Sequence, residues 1–240
     1  MSCELRRYGG KDGTGYGAWT LCANLLSEAS TVFSVGIGGD ISFDKAVVSQ
    51  HNARVFAFDP TISGDSFERL AGSVPKAQRS RISFYPFGLG ATDTVIPFFR
   101  STNRKIGSLS SSGEHMLNYQ LSSIRHMPVL RIQTLLAMSN TQQIDVLKVD
   151  IEGAEWSVFN RSNTAMCSWL SMSRQSTQIA LEFHERLFKA QPSRRSINNL
   201  LKKCGYQRQH QSASKEEVLY LKTTPTSHLD CCRNPSWIQE

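Results

Sequence analysis

No stretch of this chain approaches eighteen consecutive apolar residues, so no segment is expected to cross a bilayer as a helix. The first residues, Met1-Ser2-Cys3-Glu4-Leu5-Arg6-Arg7, hold no apolar core of the kind a secretory leader needs. Metal-ligand spacing is also missing. The six cysteines fall at 3, 22, 167, 204, 231 and 232, and the adjacent last two are not the two-residue-spaced pair of a zinc knuckle. Reduced thiols and a cytoplasmic location are therefore expected, and no residue is assigned as a metal ligand. Cys3 and Cys22 bracket a glycine-rich stretch and would be bridged only in an oxidising compartment, which the sequence leaves open. The net charge of +7 lacks a basic stripe. Arg6-Arg7, Arg79 and Arg81, Arg104-Lys105, Arg194-Arg195 and Lys202-Lys203 are scattered and not interleaved with aromatics, so no specific nucleic-acid partner is expected. Nor is the composition that of a disordered chain, since 40% of the 240 residues are hydrophobic and 20% charged. One domain of ordinary size, with a real core, is the expectation.

What is present is an alternation. Strands are predicted at 31–36, 53–58, 81–87, 144–149 and 178–183, with helices at 40–50, 64–71, 133–138, 152–159 and 193–204 between and after them. The run 94–99 reads as an edge strand because Pro97 cannot donate to a central ladder, and 128–132 as a short strand. Two closing strands, 206–210 and 217–222, suggest one antiparallel strand at the far edge. The fold class is α/β: a three-layer Rossmann-like sandwich on a mostly parallel seven-stranded sheet. Residues 1–30 form a glycine-rich leading segment and a short helix over 18–29. Residues 31–222 form the main domain, with 100–127 as a lid or excursion, and 223–240 form a polar tail. The five glycines between positions 8 and 17 allow either a flexible lead-in or a loop lying over a ligand.

Two segments carry the chemistry. The first is Gly36-Ile37-Gly38-Gly39 after the apolar run Thr31–Val35, answered by Asp59 at the end of a second apolar run. Glycines let the backbone turn sharply beside a ligand, and a carboxylate at the end of the next strand accepts from ribose hydroxyls. A dinucleotide fingerprint wants a third glycine at position 41, where this chain has Ile41, and Asp40 beside it would repel a phosphate. A phosphate-free, positively charged adenosine ligand meets no such objection, which points to S-adenosylmethionine. The second segment is Leu147-Lys148-Val149-Asp150-Ile151-Glu152-Gly153-Ala154-Glu155. One acid there suffices to cap a helix, yet three crowd within six residues. With Glu182 and His184 they would orient a substrate, hold a cation or take a proton. Lys148 needs a carboxylate partner if buried, and Glu182 is expected to supply it.

Together these motifs resemble a known family. Residues 35–43 (Val-Gly-Ile-Gly-Gly-Asp-Ile-Ser-Phe), 56–61 (Phe-Ala-Phe-Asp-Pro-Thr), Gly88-Leu89-Gly90 and 145–156 (Asp-Val-Leu-Lys-Val-Asp-Ile-Glu-Gly-Ala-Glu-Trp) are similar to the methyltransferase-like-24 group, a relative of the FkbM-type methyltransferases. The resemblance runs from about residue 3 to residue 222. It implies a class I, Rossmann-like, S-adenosylmethionine-dependent methyltransferase acting on oxygen or nitrogen of a small-molecule or protein acceptor that is not identified. By position it implies that Gly36, Gly38 and Gly39 line the methionine end of the cofactor with Asp40 near its ammonium, that Asp59 takes the ribose hydroxyls, and that Gly88 and Leu89 lie near the adenine. Asp150, Glu152 and His184 are the catalytic candidates, with Asp150 or His184 as base. Ser34 and Asp40 depart from the wider class, which has an acidic residue and a glycine there. A non-catalytic binding module on the same fold is the alternative.

Overall fold

The computed structural model describes residues 2–11, 13–101, 109–112, 119–226 and 231. An N-terminal ribbon comes first: β1 (Leu5–Tyr8) pairs antiparallel with β2 (Trp19–Cys22). The helix expected over 18–29 is thus overturned. All four residues of β2 are buried, which suits a strand covered on both sides and not a surface helix with one polar face. The ribbon is pinned at its end by a Cys3–Cys22 disulfide, with Cα atoms 4.9 Å apart. It is tied to the main sheet by the buried Gln178 side chain, which accepts from Cys22 N at 2.7 Å and donates to Cys22 O at 3.2 Å. The one amide thus satisfies both the N–H and the C=O of Cys22.

The chain then alternates as the sequence predicts: β3 (Thr31–Val35), α1 (Ser42–His51), β4 (Arg54–Phe58), α2 (Gly64–Ala71), α3 (Lys76–Arg79) and β5 (Ile82–Tyr85). A second, four-stranded sheet interrupts it, built from β6 (Gly88–Leu89), β7 (Thr94–Ser101), β8 (Leu109–Ser110) and β9 (Tyr119–Leu130). The excursion expected over 100–127 is therefore largely β structure where it is described; residues 102–108 and 113–118 lie outside the described residues. Pro97 falls where β7 pairs with β9 alone, because β8 reaches only Phe99 and Arg100. The alternation resumes with α4 (Ile132–Met138), β10 (Val146–Val149), α5 (Glu155–Val158), α6 (Thr164–Met172), β11 (Gln178–Glu182), α7 (Arg195–Lys203), β12 (Tyr206–Gln211) and β13 (Glu217–Lys222). The helix expected over 152–159 is the shorter α5. Helix α6, capped by the Asn163 side chain accepting from Met166 N at 3.1 Å, has no counterpart in the sequence reading.

The main sheet has the order β12-β13-β11-β10-β3-β4-β5. Strands β11, β10, β3, β4 and β5 are mutually parallel, and β13 is antiparallel to both of its neighbours. The reversed strand predicted toward the far edge is β13, one position in from it. Alternate residues along each strand serve opposite faces. Phe33, Phe56, Phe58, Leu147 and Leu181 pack against α4, α6 and α7, while Val32, Val55, Val146 and Ala180 pack against α1, α2 and the N-terminal ribbon. With both faces covered, the central strands β3, β4 and β10 are mostly apolar, Ser34 and Lys148 being exceptions, so they read as runs and not as alternations.

The expectation of reduced thiols is also overturned, since Cys204 and Cys231 form a second disulfide. Cys231 is buried in the same core as Cys204 and Cys167, so part of the presumed polar tail is anchored. The remaining tail residues, 227–230 and 232–240, lie outside the described residues. No helix among the described residues is long and apolar enough to cross a membrane.

Candidate active site

Because β3, β4, β10 and β11 run in parallel, their last residues meet at one edge, and the order reverses between β3 and β10. A crevice beyond the carboxyl ends at such a switch point is where ligands bind in doubly wound sheets. A cavity of about 1180 Å³ opens there. Its wall brings together Gly36, Gly38, Gly39, Asp59, Gly88, Leu89, Asp150, Glu152, Glu182 and His184, so nine of the ten residues singled out by sequence, with Glu182, share one space. Asp40 is the exception. It lines a smaller adjoining cavity of about 80 Å³ with Tyr16, Gly17, Ser34, Asp44 and Lys148. Its Oδ1 accepts from Ser42 N at 2.7 Å, which satisfies a free donor in the first turn of α1.

The glycine turn is shaped by what surrounds it. Gly36 has φ +74°, and a Cβ there would lie 1.6 Å from Asp150 O, inside the backbone of the neighbouring strand end. Only glycine lets the two strand tips approach that closely. Added Cβ atoms at Gly38 and Gly39 would meet nothing within 4 Å, so the turn presents backbone to open space. Asp59, 4% exposed, is tied to this turn: Oδ2 accepts from Gly38 N at 2.8 Å, and Oδ1 accepts from Thr61 N and Oγ1 at 2.7 and 2.6 Å. The carboxylate thus clamps the first turn to the second strand and keeps an acceptor position on Oδ2. Thr61 was quoted in the sequence motif without a role; the Asp-Pro-Thr turn is the signal that points to it.

The acids of β10 and β11 surround one histidine. His184 Nδ1 lies 3.0 Å from Glu155 Oε1, while Nε2 lies 3.6 Å from Asp150 Oδ1, 3.7 Å from Glu152 Oε2 and 3.8 Å from Glu182 Oε1. Burial by itself would lower the His184 pKa, but Glu155, Asp150 and Glu152 outweigh it and raise it to about 10. Burial, then Asp150, raises Glu182 to about 8 against the pull of His184 and Lys148. Burial also raises Glu152, with the neighbouring acids adding to it and His184 opposing. All three shifts have one origin, a partly desolvated excess of negative charge that holds protons.

Glu152 takes φ +52°, a conformation that side chains rarely adopt, followed by Gly153 at +98°. The second sheet braces this turn, with Ser110 Oγ donating to Glu152 O and Ser112 Oγ to Gly153 O. Lys148 does not pair with Glu182 as expected from sequence. It donates to Gly36 O at 2.5 Å, lies 3.8 Å from Asp150 Oδ2 and sits over the Trp19 ring at 4.9 Å. The glycine-rich stretch is a folded loop and not a loose lead-in, since Gly10 N donates to Ser42 Oγ at 2.7 Å and Tyr16 lines both cavities.

Residues 22–208 match the family model described as "Methyltransferase FkbM domain". The chain belongs to this family. FkbM methyltransferases use S-adenosylmethionine, and the seven-stranded order above is consistent with that fold. A crystal structure of methyltransferase FkbM from Methylobacillus flagellatus KT superposes with a TM-score of 0.51 at 14% identity, covering 89% of this chain. This FkbM domain spans 48% of the length of that protein. An O-methyltransferase family protein from Burkholderia thailandensis gives a TM-score of 0.45 at 10% identity, over 83% of this chain and 52% of that one. No curated protein matches.

Proposed function

We propose that this FkbM domain transfers a methyl group from S-adenosylmethionine to oxygen or nitrogen of an acceptor. The observation that carries the reading is the convergence, in one cavity, of the glycine turn, the Asp59 clamp and the acids at the ends of β10 and β11. The residues suit the cofactor: backbone and not side chain faces the cavity at Gly38 and Gly39, and carboxylates and not a phosphate cradle stand nearby. Gly36, Gly38, Gly39 and Asp59 would hold it, with Gly88 and Leu89 forming a further wall. When bound, it supplies an electrophilic methyl on a sulfonium. About 1180 Å³ exceeds the roughly 300–1,000 Å³ of a typical small-ligand pocket, which leaves room for an acceptor. The acceptor would lie against the second sheet, where Thr94, Ile96, Phe98 and Arg100 alternate along β7 toward the cavity.

The chain contributes alignment and a destination for the acceptor's proton. We assign that destination to Glu152. Burial moves its pKa upward, toward the range in which a carboxylate is an effective base, and Asp150 is already engaged by Lys148. His184, held cationic by its neighbours, positions the carboxylates in place of the basic role first considered. Isothermal titration with S-adenosylhomocysteine should give one binding event per chain. No heat and no thermal shift with either form of the cofactor would count against the reading. Radiolabelled cofactor with fractionated extract should label an acceptor, and Glu152→Gln should lower kcat at unchanged cofactor affinity; cofactor binding without any transfer would favour a binding module. For the compartment, the two cysteine pairs favour an oxidising environment.

A further inference from the structure

The histidine at the centre of the site is buried, and one of its nitrogens is unused. The His184 side chain is 5% exposed, and Nδ1 is taken by Glu155. Among the described residues Nε2 makes no hydrogen bond; the oxygens it faces, from Asp150, Glu152 and Glu182, stand 3.6–3.8 Å away. That is beyond hydrogen-bond distance, and four carboxylates are gathered around Lys148 and His184, with Arg186 acting on Glu152. It is, however, a spacing that ligand atoms adopt around an ion. With bonds of about 2.1–2.4 Å, ligands at the tetrahedral angle stand about 3.4–3.9 Å apart, between the roughly 3.0–3.4 Å of adjacent octahedral ligands and the roughly 4.2–4.8 Å of opposite ones. One ligand atom each from Asp150, Glu182 and His184 all lie within 4.8 Å of one another.

We propose that Asp150, Glu182 and His184 form a binding site for one divalent first-row metal cation in the wall of the cavity. Two carboxylates and one imidazole suit Mn²⁺, Fe²⁺ or Zn²⁺ better than the all-oxygen shells of Mg²⁺ and Ca²⁺. Glu155 is the outer partner that such a histidine requires. The ion takes the place of the proton that the acids otherwise hold on Nε2, releasing it to solvent, and Glu155, by accepting the Nδ1 proton, directs the freed Nε2 lone pair at the ion. Asp150 can serve Lys148 through Oδ2 and the ion through Oδ1, because the two oxygens already face different partners. Three protein ligands leave coordination positions open to the cavity, where an acceptor oxygen would be polarised and brought to the methyl. That role rests on the methyltransferase reading; the presence of the ion does not.

The full chain, stripped with EDTA and dialysed, should be titrated with Mn²⁺ alone while free Mn²⁺ is followed by electron paramagnetic resonance. One ion per chain is expected, with at least a tenfold loss of affinity in Glu182→Gln. Pulsed resonance of the wild-type complex should show ¹⁴N coupling from a directly bound imidazole, a signature that a purely structural His184 would not produce and that needs no variant to fold. Wild-type protein that binds no more Mn²⁺ than Glu182→Gln, or binds it without nitrogen coupling, overturns the proposal. Calorimetry with S-adenosylhomocysteine on the same samples separates the two readings. Cofactor binding without Mn²⁺ binding sinks the metal site alone, and the reverse result leaves the metal site standing while the cofactor reading falls.

Discussion

Replacing Asp44 by asparagine should make the protein less sensitive to rising pH. Asp44 lies on α1 with 1% of its surface exposed, beneath the glycine turn and facing the small cavity it shares with Ser34 and Lys148. Among the described residues its Oδ1 and the Ser34 Oγ, both buried, have no hydrogen-bond partner. Burial raises the carboxyl pKa from 3.8 to about 6, although the Lys148 charge and the nearby Ser34 hydroxyl offset part of the cost. Below pH 3.8 the group is neutral in both folded and unfolded chains, so it contributes no pH-dependent term. Between 3.8 and about 6 the unfolded chain ionises first, and folding stability falls as pH rises. Above that window the folded carboxylate carries its full penalty. At 1.36 kcal/mol per pH unit, the gap amounts to about 3 kcal/mol. Asp44→Asn removes the titration, so the stability difference between variant and wild type should shift by about 2.4 kcal/mol in favour of the variant between pH 4 and pH 7, the rest of the gap lying below pH 4. Urea unfolding at several pH values measures it. Any packing cost of the amide enters as a constant offset, so only the change with pH is diagnostic. A difference that stays flat within about 0.5 kcal/mol across that range would refute the argument that burial controls this carboxyl.

The glycine turn should separate into structural and ligand-facing positions. Gly36→Ala drives a methyl into Asp150 O at positive φ and should cost more than about 3 kcal/mol, seen as a large fall in Tm or as insoluble protein. Gly39→Ala adds its methyl to open space and should leave Tm within about 2 °C while weakening S-adenosylhomocysteine about tenfold by calorimetry; equal effects at the two positions would contradict the geometry. Cys3→Ser with Cys22→Ser opens a loop of sequence separation 19 and should cost about 3 kcal/mol in urea unfolding. Non-reducing peptide mapping should show Cys3–Cys22 and Cys204–Cys231, and free thiols at all four would contradict both pairs.

Periodicity and turn chemistry in the chain alone were enough for the alternation of strands and helices, because the central strands are mostly apolar runs, broken only by residues such as Ser34 and Lys148, and closed by glycine or a carboxylate. They were enough also for the residues at the strand tips, since a doubly wound sheet sends every parallel strand's end to one edge. Local signals misled where a non-local partner decided the outcome. Trp19–Cys22 became a strand because Leu5–Tyr8 and Gln178 were there to pair with it, and Lys148 took Gly36 O and Asp150 although Glu182 lines the same small cavity, because strand assembly puts the tip of β3 and Asp150 within reach of its ammonium. Asp40 carried the right charge at a tempting position, yet the packing of Gly17 and Ser42 around it turned it toward the smaller cavity. Composition fixes which groups are available, but distances of 3.0–3.7 Å between residues about thirty positions apart in the chain exist only after the sheet has assembled. The ring of acids about His184 is therefore a product of strand order, which no local pattern encodes.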